Sequence, residues 1–123
     1  MGTRAVYTFI DQDQCHSVYV HWDGYPRWAC RFIAKALSLA WPLPRFEADE
    51  FAAAFVAANK QQPGNVRLTS GPDAHADLAY TYAVSCRDGQ LHVCITAVGY
   101  AGPNRLLFEG TLEDAQQFAA TSN

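Results

Sequence analysis

Two alternating segments joined by Asp88-Gly89 constrain the fold of this chain more than any other feature. In residues 78–84 and 91–98, apolar side chains recur at every second position, which is the period of a β-strand with one buried face. An Asp-Gly pair between two such segments is a strong short-range signal for a two-residue hairpin with a type I′ turn. The sequence therefore predicts an antiparallel β-hairpin over this region.

The turn also fixes which residues of the hairpin lie opposite one another. The predicted pairs are Arg87 with Gln90, Cys86 with Leu91, Val84 with Val93, Ala83 with Cys94, Tyr82 with Ile95 and Thr81 with Thr96. Tyr82 and Val84 then share a face with their apolar partners, and we expect this face to be the core side. Because Cys86 does not lie opposite Cys94, a disulfide between them is disfavoured.

The rest of the chain predicts grouped strands and grouped helices rather than a regular alternation of the two. Strands are predicted at 5–10 and 17–22, with shorter candidates at 66–69 and 105–108, and helices at 27–41, about 47–59 and from 111 onward. We expect an α+β fold, with a mostly antiparallel sheet of about four to five strands and two or three helices packed on one face. The predicted order is ββααβββ(β)α.

Composition favours one globular domain over residues 1–123 and limits its partners. Half of the residues are hydrophobic and 17% are charged, which supplies enough apolar surface for a packed core. Nine Lys and Arg against twelve Asp and Glu give a net charge of −3, which disfavours nucleic acid as the partner. No apolar run approaches the roughly 20 residues of a membrane span, and the N-terminus has no signal-peptide core. The four widely spaced cysteines are typical of buried free thiols in a cytoplasmic protein.

The segment from His21 to Pro26 is the densest mixture of polar and aromatic residues, and several interpretations of it stay open. Where a strand turns into a helix, free backbone N–H groups can hold an anion, so the turn at Asp23-Gly24 together with Arg27 could hold a phosphate. His21, Asp23 and Tyr25 are candidate binding residues of this segment. His21 and Asp23 could also act as a proton-transfer pair if both reached one cleft. Alternatively the segment is only a turn, because Asp-Gly followed by Pro is common turn chemistry.

Three positive charges fall on one stripe of the first predicted helix, because Arg27, Arg31 and Lys35 recur every four residues. Trp28 lies beside this stripe, and the helix contains no acidic residue. Such a stripe can bind an acidic protein surface, a phosphate-bearing ligand or single-stranded nucleic acid, although three charges are too few to favour nucleic acid. It can equally be a solvated helix face.

No set of residues in the sequence predicts a catalytic or metal site. His92 and Cys94 share a strand face and Cys15-His16 forms another pair, but zinc sites usually contain closer pairs such as C-x-x-C. Cys30 falls in the first predicted helix, where its pKa could be lowered, but no residue is selected as its base. We therefore expect no catalytic residue, no metal and no cofactor.

Three short segments resemble a family of small uncharacterised phage and prophage proteins. They are Met1-Gly2-Thr3-Arg4-Ala5, His21-Trp22-Asp23-Gly24-Tyr25-Pro26 and Phe108-Glu109-Gly110-Thr111-Leu112-Glu113. Members of the family similarly begin with a Gly-Thr-Arg-like start and carry the His-Trp-Asp-Gly-Tyr-Pro segment ahead of a helix. Here Arg27 and Trp28 follow the proline, where many members have small residues and glycine. The resemblance implies an accessory gene of a mobile element, without an assigned activity.

These expectations combine into one leading function and two alternatives. We expect a non-enzymatic accessory protein that binds a host protein or protein complex, for example as an anti-CRISPR-like inhibitor of host defence. The first alternative is a protein that binds and sequesters a nucleotide or another small phosphate-bearing ligand. The second is a small enzyme that uses His21 and Asp23. An exposed edge strand could also pair two copies of the chain into a homo-oligomer.

Overall fold

The computed structural model describes residues 2–122, so Met1, where the first phage-like segment begins, lies outside the described residues. The strands are β1 (Ala5–Ile10), β2 (Cys15–Val20), β3 (Val66–Thr69), β4 (Tyr80–Arg87), β5 (Gln90–Ala97) and β6 (Arg105–Thr111). The helices are α1 (Pro26–Leu39), α2 (Ala48–Asn59) and α3 (Leu112–Ser122), with a 3-10 turn at Pro72–Ala74. The first helix ends before the predicted Trp41, because Pro42 disfavours helical geometry in the residue ahead of it.

The strands form a six-stranded mixed sheet in the order β3-β2-β1-β4-β5-β6. β1 pairs with β4 in parallel, and the other neighbouring strands are antiparallel. The α+β class is confirmed, whereas the smaller predicted number of strands is wrong, because both short candidates are full strands. Four strands follow α2 along the chain, instead of three with an optional fourth. β3 occupies the outer edge of β2, which leaves the free edge of β1 for β4, and this arrangement makes the sheet mixed.

The β4–β5 hairpin has all of the predicted residue pairs. Asp88 and Gly89 adopt positive φ angles of 53° and 77°, as a type I′ turn requires. Tyr82 is 1% exposed, so the predicted face is the core side. These details confirm the predicted register.

The cysteines differ from the expectation of buried thiols. All four are free, but of the four only Cys30 is buried. Cys15 and Cys94 lie on strand positions that alternate away from the helices, so Cys15 is exposed and Cys94 half-buried. Cys86 lies near the end of β4 and is also half-buried.

The core lies between one face of the sheet and the three helices. At its centre the rings of Tyr7 and Tyr82 stack with centroids 4.9 Å apart, and Phe55 of α2 meets Tyr7 at 4.6 Å. Buried alanines on the facing sides of α1 and α2 allow the two helices to approach closely. The aromatic residues of β1, β4 and α2 therefore hold the central strands under the helices.

The side of the sheet opposite the core is where the segment that follows β3 packs, and the His75 ring stacks there on Tyr19 with centroids 4.3 Å apart. It carries a small apolar cluster, made of Val6, Tyr19, Leu78 and Val98. The polar side chains of His21, His92 and Cys94 lie on this side too, because they alternate with core-facing residues. We call this side the open face.

Candidate functional site

The turn between β2 and α1 directs the predicted binding residues onto different surfaces. Asp23 adopts a positive φ of 62°, and its side chain lines a polar pocket of about 170 Å³ together with Trp22 and Lys35. His21 is not among the described residues that line this pocket, and its ring contacts residues of the open face instead. The structure therefore does not bring His21 and Asp23 together as a proton-transfer pair.

His21 lies between two arginines on the open face. Its Nδ1 atom is 2.9 Å from the hydroxyl oxygen of Tyr19, 3.3 Å from Nε of Arg4 and 3.4 Å from a terminal nitrogen of Arg67. Burial lowers the pKa of His21, and the positive charges of Arg4 and Arg67 lower it further, against a smaller opposing effect of Asp77. The lowered pKa favours the neutral ring, which has one acceptor nitrogen for a hydrogen bond from a neighbouring donor.

Two backbone N–H groups at and after the Asp23-Gly24 turn, those of Gly24 and Trp28, already donate to carbonyl groups of the chain. The backbone N–H of Gly24 donates to the carbonyl of Thr3 at 2.8 Å, and the carbonyl of Gly24 accepts from the Tyr82 hydroxyl at 2.5 Å. At the start of α1, the N–H of Trp28 donates to the carbonyl of Tyr25 at 3.0 Å. These bonds tie the turn to the segment before β1, to β4 and to the first turn of α1.

At the start of α1, Arg31 lies over the Trp28 ring and borders a groove together with Arg27, and Tyr25 directly precedes this helix. We call these four predicted binding residues the α1 surface. Tyr25 is 47% exposed and Trp28 is 37% exposed. The guanidinium carbon of Arg31 lies 4.7 Å from the centre of the Trp28 ring, a cation–π distance that orders both side chains. The α1 surface is therefore an exposed aromatic and basic patch on a rigid helix.

The basic residues of α1 have no acidic partner in the part of the chain that the structure describes. None of Arg27, Arg31 and Lys35 takes part in an ion pair there, and the first turn of α1 contains no acidic residue. Arg27 and Arg31 border a groove of about 320 Å³ against α3, whereas Lys35 lines the pocket with Asp23. The predicted stripe of three charges therefore divides into an arginine pair and a separate lysine.

Cys30 is placed in the core and not in a reactive setting. Its side chain is 2% exposed, and burial raises the pKa of its thiol to about 11. A thiol with such a pKa is protonated at neutral pH and is a poor nucleophile. The position in α1 therefore does not activate it.

A second polar cluster lies on the open face where β5 and β6 pair. Nε2 of His92 is 3.0 Å from a carboxylate oxygen of Glu109, and Cys94 lies directly opposite Glu109 in the strand register. A hydrogen bond to His92 lowers the pKa of Glu109, and burial, followed by the charge of Glu109, raises the pKa of Cys94. The alternation of β5 predicts that His92 and Cys94 share a face, but Glu109 lies beyond the predicted end of the last strand at Phe108. Extending that strand to Thr111 would have added Glu109 to the pair.

An apolar groove beside the edge strand β3 was not predicted either. It has a volume of about 670 Å³ and lies between α2 and strands β2 and β3, with Ala53, Val56 and Leu68 among its lining residues. Leu68 is 82% exposed on an edge strand that is only four residues long. Short edge strands limit pairing with other chains.

Comparisons with known proteins add no family or homologous structure to this description. No protein-family model, curated protein or solved structure matches the chain. Among the described residues, no helix has both the length and the apolar character needed to cross a membrane.

Proposed function

We propose that this chain is a non-enzymatic accessory protein, of the kind that phages and prophages encode, and that it binds a host protein through the α1 surface. The observation that carries the proposal is the exposed pair Tyr25 and Trp28 next to arginines that have no ion pair among the described residues. Tyr, Trp and Arg are the residue types that contribute most binding energy at protein interfaces. The positive charges of Arg27 and Arg31 favour an acidic partner, for example a component of a host defence system in the cytoplasm.

The position of Arg27 supports a binding role over a purely structural one. Arg27 lies in the first turn of α1, where the helix dipole disfavours a positive charge. A residue that opposes the stability of its own helix and makes no ion pair in the described structure is readily explained by an external partner. Arg31 adds a second charge that is already ordered over Trp28, so less side-chain entropy is lost on binding.

The dimensions of α1 also fit such an interface. From Arg27 to Arg31 the helix covers roughly 6 Å along its axis, which suits the centre of an interface that buries about 800 Å² on each partner. An acidic partner would be steered toward the basic helix, and that steering would weaken with added salt. Tyr25 and Trp28 would then supply the desolvated contacts at the centre.

Affinity capture from the lysate of a candidate host tests the proposal. The tagged chain is compared with Trp28→Ala, with Arg27→Glu/Arg31→Glu and with Arg105→Glu, which reverses an exposed arginine on β6. We expect the same host proteins to be retained by the unchanged chain and by Arg105→Glu, and to be lost with the two α1 variants. Retention should also fall as salt is raised. Equal retention by all four proteins, or no retention above the tag alone, would contradict the proposal.

A small-ligand function has one observation in its favour, which lies on the open face and not at the Asp23-Gly24 turn. Arg4 and Arg67 both approach His21 within 3.5 Å, and Arg67 has no ion pair among the described residues. A phosphate between the two guanidinium groups would form charge-assisted hydrogen bonds and favour protonation of His21.

Thermal-shift measurements with nucleotides and with inorganic phosphate separate this alternative from the first proposal. A nucleotide-binding protein melts at a higher temperature with ligand, and we expect Arg67→Ala to remove that shift while Arg45→Ala retains it. A chain that binds only macromolecules shows no shift with any of these ligands. A shift that survives Arg67→Ala would exclude the open-face phosphate site.

A further inference from the structure

His92, Cys94 and Glu109 place three different metal-binding groups side by side on the open face. Their ligand atoms, an imidazole nitrogen, a thiol sulfur and a carboxylate oxygen, all lie within 4.8 Å of one another. The ligand atoms around a tetrahedral zinc ion are about 3–4 Å apart. Only small side-chain rotations therefore separate the observed arrangement from a coordination sphere.

The backbone that carries these three residues is rigid and well defined. His92 and Cys94 are two residues apart on β5, and Glu109 faces Cys94 from the neighbouring strand β6. Both strands belong to the antiparallel part of the sheet, and β5 lies between β4 and β6. Groups fixed on paired strands lose little backbone entropy when a metal binds.

The chemistry of the three groups points to one metal. A thiolate together with an imidazole and a carboxylate is typical of zinc, whereas Mg²⁺ and Ca²⁺ select oxygen ligands alone. The negative charges of a thiolate and a carboxylate would balance the charge of Zn²⁺. With three protein ligands, the fourth position would be taken by water, because the Glu109 side chain is 42% exposed to solvent.

One neighbour opposes the metal. A terminal nitrogen of Arg87 lies 3.8 Å from the same Glu109 oxygen that contacts His92. The Arg87 side chain is 63% exposed, so it can turn toward solvent when a cation binds. Its positive charge should nevertheless weaken the affinity for Zn²⁺.

From this arrangement we infer that His92, Cys94 and Glu109 form a zinc-binding site. On binding, the S–H bond of Cys94 breaks, its proton leaves to solvent and the thiolate sulfur forms a bond to Zn²⁺. The proton on Nε2 of His92, which forms the hydrogen bond to Glu109, is released to solvent, while a neutral ring takes up a proton at Nδ1. Nε2 and the Glu109 carboxylate then bind the metal, and water molecules leave the zinc hydration shell. No oxidation or reduction takes part in this step.

The test uses the full chain after removal of metals with a chelator. Co²⁺ is added first, because a cobalt–thiolate bond gives a charge-transfer absorption band, and Zn²⁺ is then added to displace it. We expect one equivalent of Co²⁺ to produce the band, stoichiometric Zn²⁺ to remove it and excess Mg²⁺ to leave it unchanged. Cys94→Ser should abolish the band.

Further variants distinguish this site from other thiols and histidines. Since loss of even an outer-sphere partner costs about 10–100-fold in metal affinity, His92→Asn and Glu109→Gln should each weaken Zn²⁺ binding by at least about tenfold. Arg87→Ala should tighten it. Cys86→Ser and Cys15→Ser, which change thiols outside the cluster, should leave it unchanged.

Three results of the Co²⁺ experiment would overturn the inference. They are the absence of a cobalt–thiolate band, a band that survives Cys94→Ser, and a band that Cys15→Ser abolishes. Because Glu109 is partly exposed, Glu109→Gln should keep the fold even if Cys94→Ser does not, and unchanged Zn²⁺ affinity in this variant would also overturn the site.

Discussion

The carboxylate of Asp11, in the turn between β1 and β2, accepts a hydrogen bond of 2.7 Å from the backbone N–H of Ala48, the first residue of α2. Its other oxygen accepts the backbone N–H groups of Asp13 and Gln14 at 2.7 and 3.0 Å. The residue before α2, Glu47, makes no side-chain cap of its own. Asp11 therefore caps a helix that is distant in the sequence while it orders its own turn.

Replacement of Asp11 by Asn should lower the melting temperature at pH 7 by a few degrees. The N–H groups of Ala48 first, and of Asp13 next, hold the pKa of Asp11 below its ordinary value of 3.8. A lowered pKa in the folded state stabilises the fold above the unfolded value, and this stabilisation is lost as pH falls through the folded value. The difference between Asp11→Asn and the unchanged chain should therefore shrink as the pH falls below the unfolded pKa. Thermal melts from pH 7 to pH 3 measure it, with Asp13→Asn as the control, and a difference independent of pH would contradict the role of Asp11.

Two buried tyrosines should respond in opposite ways to loss of the hydroxyl group. The Tyr82 hydroxyl donates to the carbonyl of Gly24 at 2.5 Å, whereas the buried Tyr7 hydroxyl has no hydrogen-bond partner among the described residues. Tyr82→Phe leaves a buried carbonyl unpaired and should cost about 1–3 kcal/mol. Tyr7→Phe removes an unpaired polar atom and should be neutral or stabilising. Urea unfolding of both variants measures the change in the free energy of unfolding. Equal losses for the two variants would contradict a stabilising role of the Tyr82 hydrogen bond.

Gly24 should tolerate no side chain, because the backbone of the N-terminal segment passes against it. A Cβ atom at Gly24 would lie 2.6 Å from the carbonyl oxygen of Thr3 and 3.1 Å from Cβ of Ala5. Gly24→Ala should therefore destabilise the fold by about 1–3 kcal/mol. Gly102→Ala is the matched control, because nothing lies within 4 Å of a Cβ there, and its effect should stay within about 0.5 kcal/mol. Similar losses for both glycines, measured by urea unfolding, would refute the close approach.

Reversal of the charge at Arg27 should raise the stability of the fold and weaken the binding of a partner. Glutamate in the first turn complements the helix dipole, so Arg27→Glu should stabilise the fold by about 0.3–1 kcal/mol. The same change removes a positive charge from the α1 surface and should weaken capture of an acidic partner. Thermal melts and affinity capture on one preparation measure both effects. A destabilised Arg27→Glu would mean that Arg27 has a structural role that its lack of an ion pair does not reveal.

Local turn chemistry explains how much of the fold could be predicted from the sequence. Asp88-Gly89 sets the β4–β5 register, because a two-residue turn fixes each opposing pair. The pairing of β1 with β4 has no such local signal, since α1, α2 and two strands separate them. The sequence therefore predicts a mostly antiparallel sheet but does not locate the parallel pairing of β1 with β4.

In the candidate sites, too, local patterns can be predicted from the sequence, whereas contacts between distant residues cannot. Alternation along β5 predicts that His92 and Cys94 share a face, but their contact with Glu109 depends on a register shift between Ile95 and Thr96. Sequence patterns do not encode such an irregularity. Likewise, the Asp-Gly pair at Asp23 predicts a turn, but not that its positive φ points the Asp23 side chain away from His21.

The parallel pairing of β1 with β4 also determines when the backbone of β1 can complete its hydrogen bonds during synthesis. As the chain leaves the ribosome, β1 can pair with β2 at once, but its other edge stays empty until residues 80–84 emerge. During that interval β1, which lies inside the finished sheet, is an edge strand. Its free amide and carbonyl groups can then pair with another polypeptide. The newly synthesised chain is therefore most prone to aggregation along the edge of β1 that β4 covers in the folded protein.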